Sequence, residues 1–368
     1  MKIFLNDIKS ENLIIKKEID EAISKIIESG KFINNKILTD FENNFANYCD
    51  KDFCIGTSSG SASLFVVLKC LDIKEGDEVI IPVTTFFATG SAISLAGATP
   101  IFIDVKKNCL IDENKIETAI TKKTKAIIPV HLFGNVCEMG KIFKIAQKYN
   151  LTVIEDCAQA HGSAYRGKKV PVGEIGCFSF FPSKNLGAFG DAGAIVTSSL
   201  ELERKIRLFI NHGRSSKYVH KTMGFNFRQD AIQAAILSCK LKYLDEWIKK
   251  KQNLAHYYDK QLKLQKPFKE YFVDHSYHLY VIKTTNREKL KIYLDKNDVE
   301  TGIYYPLPLH LQPAYSKLNY MKGDFPIAEN LAEKVLAIPI YPNLKREDQQ
   351  RIINLICKFT KTSENSIS

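Results

Sequence analysis

The stretch LTVIEDCAQAHGSAYRGKKVPVGEIGCFSFFPSKNLGAFGDAGAIVT, residues 151–197, decides the fold. It holds three short apolar runs, LTVIEDC (151–157), GCFSFF (176–181) and GAIVT (193–197). Runs this short and this rich in Ile, Val and Phe read as buried strands. Asp156 closes the first run, and Lys184 follows the second by three residues, ahead of a glycine-rich turn at 187–193. Working outward, VIIPV (79–83), TPIFIDV (99–105) and KAIIPVHLFG (125–134) repeat the pattern. Helical patterns separate these runs at 61–72, 88–96, 112–120 and 138–149. The alternation predicts an α/β fold, a mostly parallel central sheet with helices on both faces. Ligands of such sheets sit at the carboxyl ends of the strands.

Beyond residue 228 the pattern changes. Ile232, Ile236, Cys239, Tyr243 and Trp247 recur at spacings of three and four, which predicts one long helix over 228–262. A strand over 271–284 and helices over 287–296 and 329–336 follow. We therefore expect a large domain over 1–245 and a smaller α+β domain over 246–368.

Composition bounds the rest. The 368 residues are 45% apolar and 25% charged, the balance of a soluble globular chain. Nine cysteines, no two spaced as CxxC, predict reduced and buried thiols in a cytoplasmic protein, with neither a zinc site nor a redox pair. The N-terminus meets Asp7 and Lys9 too early for a secretory signal. The longest uncharged run, 79–103, is broken by Pro82, Gly90, Gly97 and Pro100, so strand, helix and strand explain it better than a membrane span. The net charge of +11 comes without a dense basic run interleaved with aromatics, which argues against a nucleic-acid partner. It is a solvated lysine-rich surface or a field for an anionic small molecule.

Three fragments carry chemistry. Ser58-Ser59-Gly60-Ser61 precedes a helical run, and small residues there let an anion approach free N–H groups at the positive end of the helix dipole; a plain serine N-cap is the simpler alternative. Asp156 at a strand end can meet a ligand or cap the next helix. Lys184, partly desolvated, has a depressed pKa and a nucleophilic amine, unless it is an ordinary loop lysine. Together they are more specific than apart. Pyridoxal phosphate chemistry needs a lysine for the Schiff base, a carboxylate to keep the pyridine nitrogen protonated and a phosphate site. Phe86, in TTFFA, offers a ring to stack on that cofactor or simply packs in the core.

With these residues in view the chain resembles the DegT-type nucleotide-sugar aminotransferases, which have the aspartate-aminotransferase fold (fold type I). The resemblance runs through SSGSASL (58–64), GDEVIIPVTTFFAT (76–89), GATPIFIDV (97–105), AIIPVHLFGN (126–135), VIEDCAQAHG (153–162), residues 177–197, GFNFRQDAIQAAIL (224–237) and YPLPLHLQPAY (305–315). Ser61 stands where that family usually has Thr, Cys157 where Ala is common and Ala192 where Gly is common. The resemblance implies that Lys184 is the Schiff-base lysine and proton carrier and that Asp156 pairs with the pyridinium nitrogen. Gln159 is then expected on the ring hydroxyl, Gly60, Ser61 and Ser179 on the phosphate, and Phe86 on the ring face. Asn226 would reach the phosphate in a partner subunit, so a homodimer with shared active sites is implied. Arg228, His220, Tyr305 and His310 are candidates for the sugar-nucleotide, and His131 is equally well a structural histidine. Relatives that act as dehydratases replace the lysine with histidine, so Lys184 implies transamination. L-glutamate would load the cofactor as pyridoxamine phosphate, and a nucleotide-linked keto-sugar would accept the amine. KYVHKTMGFN (217–226) with residues 305–315 looks more like the members that aminate C3 than C4. A dTDP-3-keto-6-deoxyhexose is the favoured substrate. A UDP-linked 3-keto N-acetylglucosamine is the alternative, and a non-catalytic cofactor-binding regulator is the reading from another class.

Overall fold

In the computed structural model, residues 2–266 and 269–365 are described. Seven strands form the central sheet: β1 (Phe53–Thr57), β2 (Glu78–Pro82), β3 (Thr99–Ile103), β4 (Thr124–Ile127), β5 (Thr152–Asp156), β6 (Ile175–Ser179) and β7 (Gly193–Thr197). Their order is β1-β7-β6-β5-β4-β2-β3. β2 pairs in parallel with β3 and β4, β4 with β5, and β5 with β6, while β7 runs antiparallel to both of its neighbours. The sheet is mostly parallel, as the alternation of runs and helices requires. Val79, Ile80 and Ile81 of β2 are fully enclosed, because helices cover both faces. The uncharged run 79–103 resolves into β2, the helix Phe87–Ala96 and β3. Among the described residues no helix is long and apolar enough to cross a membrane.

The helices begin where short polar side chains can hold their first N–H groups. Ser59 caps Gly60–Cys70 by accepting from the Ala62 N–H, and Asn35 and Asp230 do the same for Lys36–Tyr48 and Ala231–Leu241. Gly97, at φ 100°, ends Phe87–Ala96 in the left-handed region.

The single helix expected over 228–262 is two, Ala231–Leu241 and Leu244–Gln261. The apolar spacing survives the break because Ile236, Cys239 and Trp247 all pack on Ile15 and Ile19 of the amino-terminal segment. One surface draws one stripe from two helices. Arg228 and Gln229 lie before the cap: Arg228 pairs with Thr57, extending the β1 edge. The strand expected over 271–284 is confined to Val273–Asp274 and Tyr280–Lys283, and the helix expected over 329–336 spans Pro326–Lys334 before Val335–Ile338 turns extended.

Tyr280–Lys283 and Val335–Ile338 form an antiparallel pair over a second core that includes Tyr258, Leu290, Leu294, Ile352 and Ile356. The expected boundary at 245/246 falls inside Leu244–Gln261. Leu244 and Ile248 of that helix pack on the large core, while Ala255 and Tyr258 pack on the second. Ile3 also joins the second core, so the chain's first residues cross to the C-terminal unit. Asp104, just past β3, ties the sheet to the helix Pro326–Lys334, whose Ala328 and Leu331 pack on the large core. Its carboxylate accepts the Ala328 N–H at 2.9 Å and the Ile327 N–H at 3.3 Å, and it is almost wholly buried. Asp104→Ala leaves that helix end without its acceptor and should cost roughly 2 kcal/mol. A lowered urea midpoint with an unchanged slope checks this.

Candidate active site

The site lies along the carboxyl edge of the sheet. At the end of β5, Asp156 is 5% exposed. Burial raises its pKa, while two donors and the charge of Lys184 oppose the rise. The Ala158 N–H donates to Oδ1 at 3.1 Å, and the Thr89 hydroxyl donates to Oδ2 at 2.8 Å. The Thr89 proton is thereby committed, so Thr85, 2.9 Å away, must donate to Thr89. The result is a directed relay, Thr85 to Thr89 to Asp156. Thr89 was missed in the sequence. Its signal was its place three residues after Phe86 at a helix start, which sets both on one face.

Lys184 follows β6. It is half-buried, and burial lowers its amine to about 8, with Asp156 the charge that pulls it back up. The neutral, nucleophilic form is therefore well populated near neutrality. Two enclosed histidines stand nearby. Burial and the Lys184 charge lower the pKa of both: His161, to about 3, and His278.

The small residues form a cradle. Gly193 at the start of β7 stands in register between Thr57 of β1 and Ser179 of β6. A Cβ on Gly193 would come within 2.4 Å of the Ser59 carbonyl carbon, and one on Gly60 within 2.6 Å of Ser179 Cβ. Glycine at both positions lets the helix Gly60–Cys70 seat its amino end against the sheet edge. There the first N–H groups, at Gly60 and Ser61, have no partner within the helix, and Ser179 stands beside them. Ser59 is spent on capping, so the cap and the anion site coexist.

Phe86 is 57% exposed, its ring 6.0 Å from that of Tyr305. The Gln159 Nε2 donates to the Tyr305 hydroxyl at 3.0 Å, and its Oε1 accepts the Phe133 N–H at 2.8 Å. Phe86, Tyr305, Gln159, Asp156 and Lys184 are thus gathered at one slot, with the cradle at its end. A flat ring with an aldehyde, a basic nitrogen and a phosphate fits this donor set: amine, buried carboxylate, aromatic face and free N–H groups.

The other expected residues are placed elsewhere. Asn226 and His220 are exposed on a loop, Asn226 bridged to Asn211 and the His220 ring bonded to the His212 carbonyl. Arg228 donates to Asn211 Oδ1 at 2.5 Å, while its Nε has no partner among the described residues. His310 is enclosed, 3.0 Å from Glu329 and edge-on to Phe325. Those contacts anchor the loop that carries it. His131 is fully enclosed. Its Nδ1 accepts the Cys137 N–H, so Nε2 carries the proton that Glu155 accepts at 2.8 Å. Glu155 is completed by the Val172 and Gly173 N–H groups, which makes this a structural pair behind β5.

Fold and site together define a pyridoxal-phosphate-dependent transaminase. Residues 13–357 match the DegT/DnrJ/EryC1/StrS aminotransferase family, and the chain belongs to it as a sugar aminotransferase. A dTDP-3-amino-3,6-dideoxy-alpha-D-galactopyranose transaminase of Aneurinibacillus thermoaerophilus is 42% identical over 358 residues, 96% of this chain and 98% of its own. A UDP-N-acetyl-3-dehydro-alpha-D-glucosamine 3-aminotransferase of Acidithiobacillus ferrooxidans is 40% identical over 95% of this chain and 96% of its own. The crystal structure of S. venezuelae DesV with a ketimine intermediate superposes with a TM-score of 0.95 at 37% identity, covering 97% of this chain and 98% of that one.

The Thr89–Asp156 contact gives a pH test. Thr89→Val removes a donor to the ionised form, so the Asp156 pKa rises further and the acid limb of the kcat profile moves to higher pH. Thr89→Ser, which keeps the hydroxyl, should track the parent. The two pH–rate profiles check this.

Proposed function

We propose that the chain transfers the amino group of L-glutamate to C3 of a nucleotide-linked keto-sugar, a dTDP-3-keto-6-deoxyhexose, giving a dTDP-3-amino-3,6-dideoxyhexose. The observation that carries this is the full-length similarity to the Aneurinibacillus enzyme, whose name states such a product. The Acidithiobacillus relative supports the UDP-linked N-acetylglucosamine alternative. Both act at C3.

When bound, the cofactor supplies an electrophilic aldehyde and a ring that withdraws electrons from the reacting carbon. The chain's own residues do the rest. Gly60, Ser61 and Ser179 hold the phosphate and fix the ring's register. Asp156 offers a carboxylate to the ring nitrogen, kept in place by Thr89 and Ala158. Phe86 covers one face, and Gln159 orients a polar group at the ring edge. Lys184 Nζ, with its amine near 8, would hold the cofactor and would carry a proton at the reacting carbon. Phe86 and Tyr305 supply the aromatic walls of the slot. Arg228 and Arg214 lie close enough for burial and mutual repulsion to lower the Arg228 pKa, a pairing that favours an anionic diphosphate.

The functional unit in this reading is a homodimer. Around the slot Phe86, Phe181 and Phe189 are exposed, and so are Tyr218, Met223 and Phe225 of the loop that carries Asn226. Apolar groups on that scale call for a covering surface, and a second copy would bring its Asn226 to the cradle and its His220 to the substrate.

Lys184→Ala should abolish turnover with glutamate and keto-sugar while pyridoxamine phosphate stays bound, as steady-state rates and the absorption of the purified protein would show. A panel of dTDP- and UDP-linked keto-sugars, with product mass as the readout, decides the nucleotide. An aminated UDP product alone would replace the dTDP reading. Co-expressing Lys184→Ala with Asn226→Ala chains, each inactive alone, should restore activity to roughly a quarter of all sites, because a mixed two-fold dimer holds one intact site. No recovery from demonstrably mixed dimers would assign Asn226 to its own chain's site or to none.

A further inference from the structure

Behind Lys184 lies a buried charge cluster that the reaction above leaves unused. Lys251, on the helix Leu244–Gln261, is 4% exposed. Its Nζ donates to Asn185 Oδ1 at 2.9 Å and to the His278 carbonyl at 3.4 Å. Asn185 is the residue after Lys184, and its Nδ2 donates in turn to the Ser276 carbonyl at 3.1 Å. On the other side of Lys184, the Ser183 carbonyl accepts from Asn6 Nδ2 at 3.1 Å. The backbone is therefore fastened on both flanks of Lys184, by side chains from outside its own loop. Glu11, the buried residue of the short helix Ile8–Ile14, supplies the countercharge. Its carboxylate faces both Lys251 and the enclosed Lys240, and their attraction opposes the rise that burial imposes on it. Asn6, Glu11, Ser183, Lys184, Asn185 and Lys251 line one narrow cavity.

A lysine buried this deeply is costly unless it is paired and hydrogen-bonded. Here each bond it makes leads to the catalytic loop or to the segment behind it. Both fasteners also belong to the second core's side of the molecule. Tyr258 of the Lys251 helix sits in that core. Ile3, three residues before Asn6, joins it through hydrogen bonds with Asp298 and Glu300.

We propose that Lys251, which faces Glu11, is a positioning residue that holds Asn185 and thereby fixes the backbone from which the Lys184 amine swings. The proposal rests on Lys184 being the cofactor-binding amine. With its flanking residues tied, Lys184 has only its own side-chain torsions to move between cofactor and substrate, which shortens the search for a reactive geometry. The groups that face its amine are Asp156, the neutral rings of His161 and His278, and the Lys251–Glu11 pair across the cavity. Releasing the loop exposes the amine to water, which relieves the burial that lowers it and so raises its pKa.

The test reads Lys184 itself in the full-length protein freed of cofactor. Acetic anhydride labels neutral amines, and the Lys184-containing peptide is quantified by mass across pH. In the parent the labelling midpoint should fall near 8. In Lys251→Met it should move toward that of an ordinary lysine, and the rate at which pyridoxal phosphate is captured at pH 8 should drop several-fold. Lys251→Arg, which keeps the charge and the donors, should restore both. Asn185→Ala leaves Lys251 facing Glu11 and cuts the loop's bonds to Lys251 and to the Ser276 carbonyl, so it should shift the midpoint at least as far as Lys251→Met does, even where Lys251→Met folds poorly. A parent-like midpoint in folded Asn185→Ala overturns the positioning role while leaving the transaminase reading intact. Failure of borohydride to fix the cofactor on Lys184 in the parent overturns both.

Discussion

Everything in the site depends on keeping a carboxylate ionised where water hardly reaches. Asp156 ends a strand that helices cover, and burial pushes its pKa up. The fold answers with a hydroxyl relay from Thr85 through Thr89, one backbone N–H and the charge of Lys184. The same burial that burdens Asp156 lowers the Lys184 amine to about 8. One low-dielectric slot thus tunes an acid and a base in opposite directions, and each supports the other's charged form.

That slot exists because strands end together. β1, β5 and β6 point their carboxyl ends to one edge, and β7, running the other way, begins there at Gly193. An antiparallel strand in a largely parallel sheet is useful here. It lets residue 193 be the gap through which the helix Gly60–Cys70 approaches. The cradle proposed for the phosphate is a consequence of that close packing more than of any one side chain. Substituting Ser for Thr at position 61 keeps the N–H group, which is the part the geometry employs.

The C-terminal unit does more than cover the site. Asp104 binds the helix Pro326–Lys334 to the sheet, Tyr305 reaches Gln159, and Lys251 reaches Asn185. Each link joins residues distant in sequence, and the last two reach the slot and the loop that carries Lys184. A helix shared by two cores is a stiff connection, so the position of the second core bears directly on the lysine loop.

Much of this was legible in the chain. Short Ile- and Val-rich runs alternating with amphipathic stretches require a covered, mostly parallel sheet, since no other arrangement buries both faces. Asp156 and Lys184 stood out because a charged residue at the end of an apolar run is rare without a task. The break at 242–243 was hidden, because a common packing surface imposes one periodicity on two helices. His310 matched a motif yet turned inward to Glu329, a partner that local spacing does not reveal. Thr89 and Lys251 look like an ordinary helical threonine and one of many surface lysines. Their roles follow from contacts 67 and 66 residues away in sequence, which exist only once the sheet has brought its edges together. The sequence by itself determined which elements form and which residues carry charge into the core, because those depend on local pattern and on the cost of burial. Only the tertiary structure decided which hydroxyl steadies Asp156, which lysine holds the loop and which histidine is spent on structure, because hydrogen bonds depend on positions in space that no local pattern encodes.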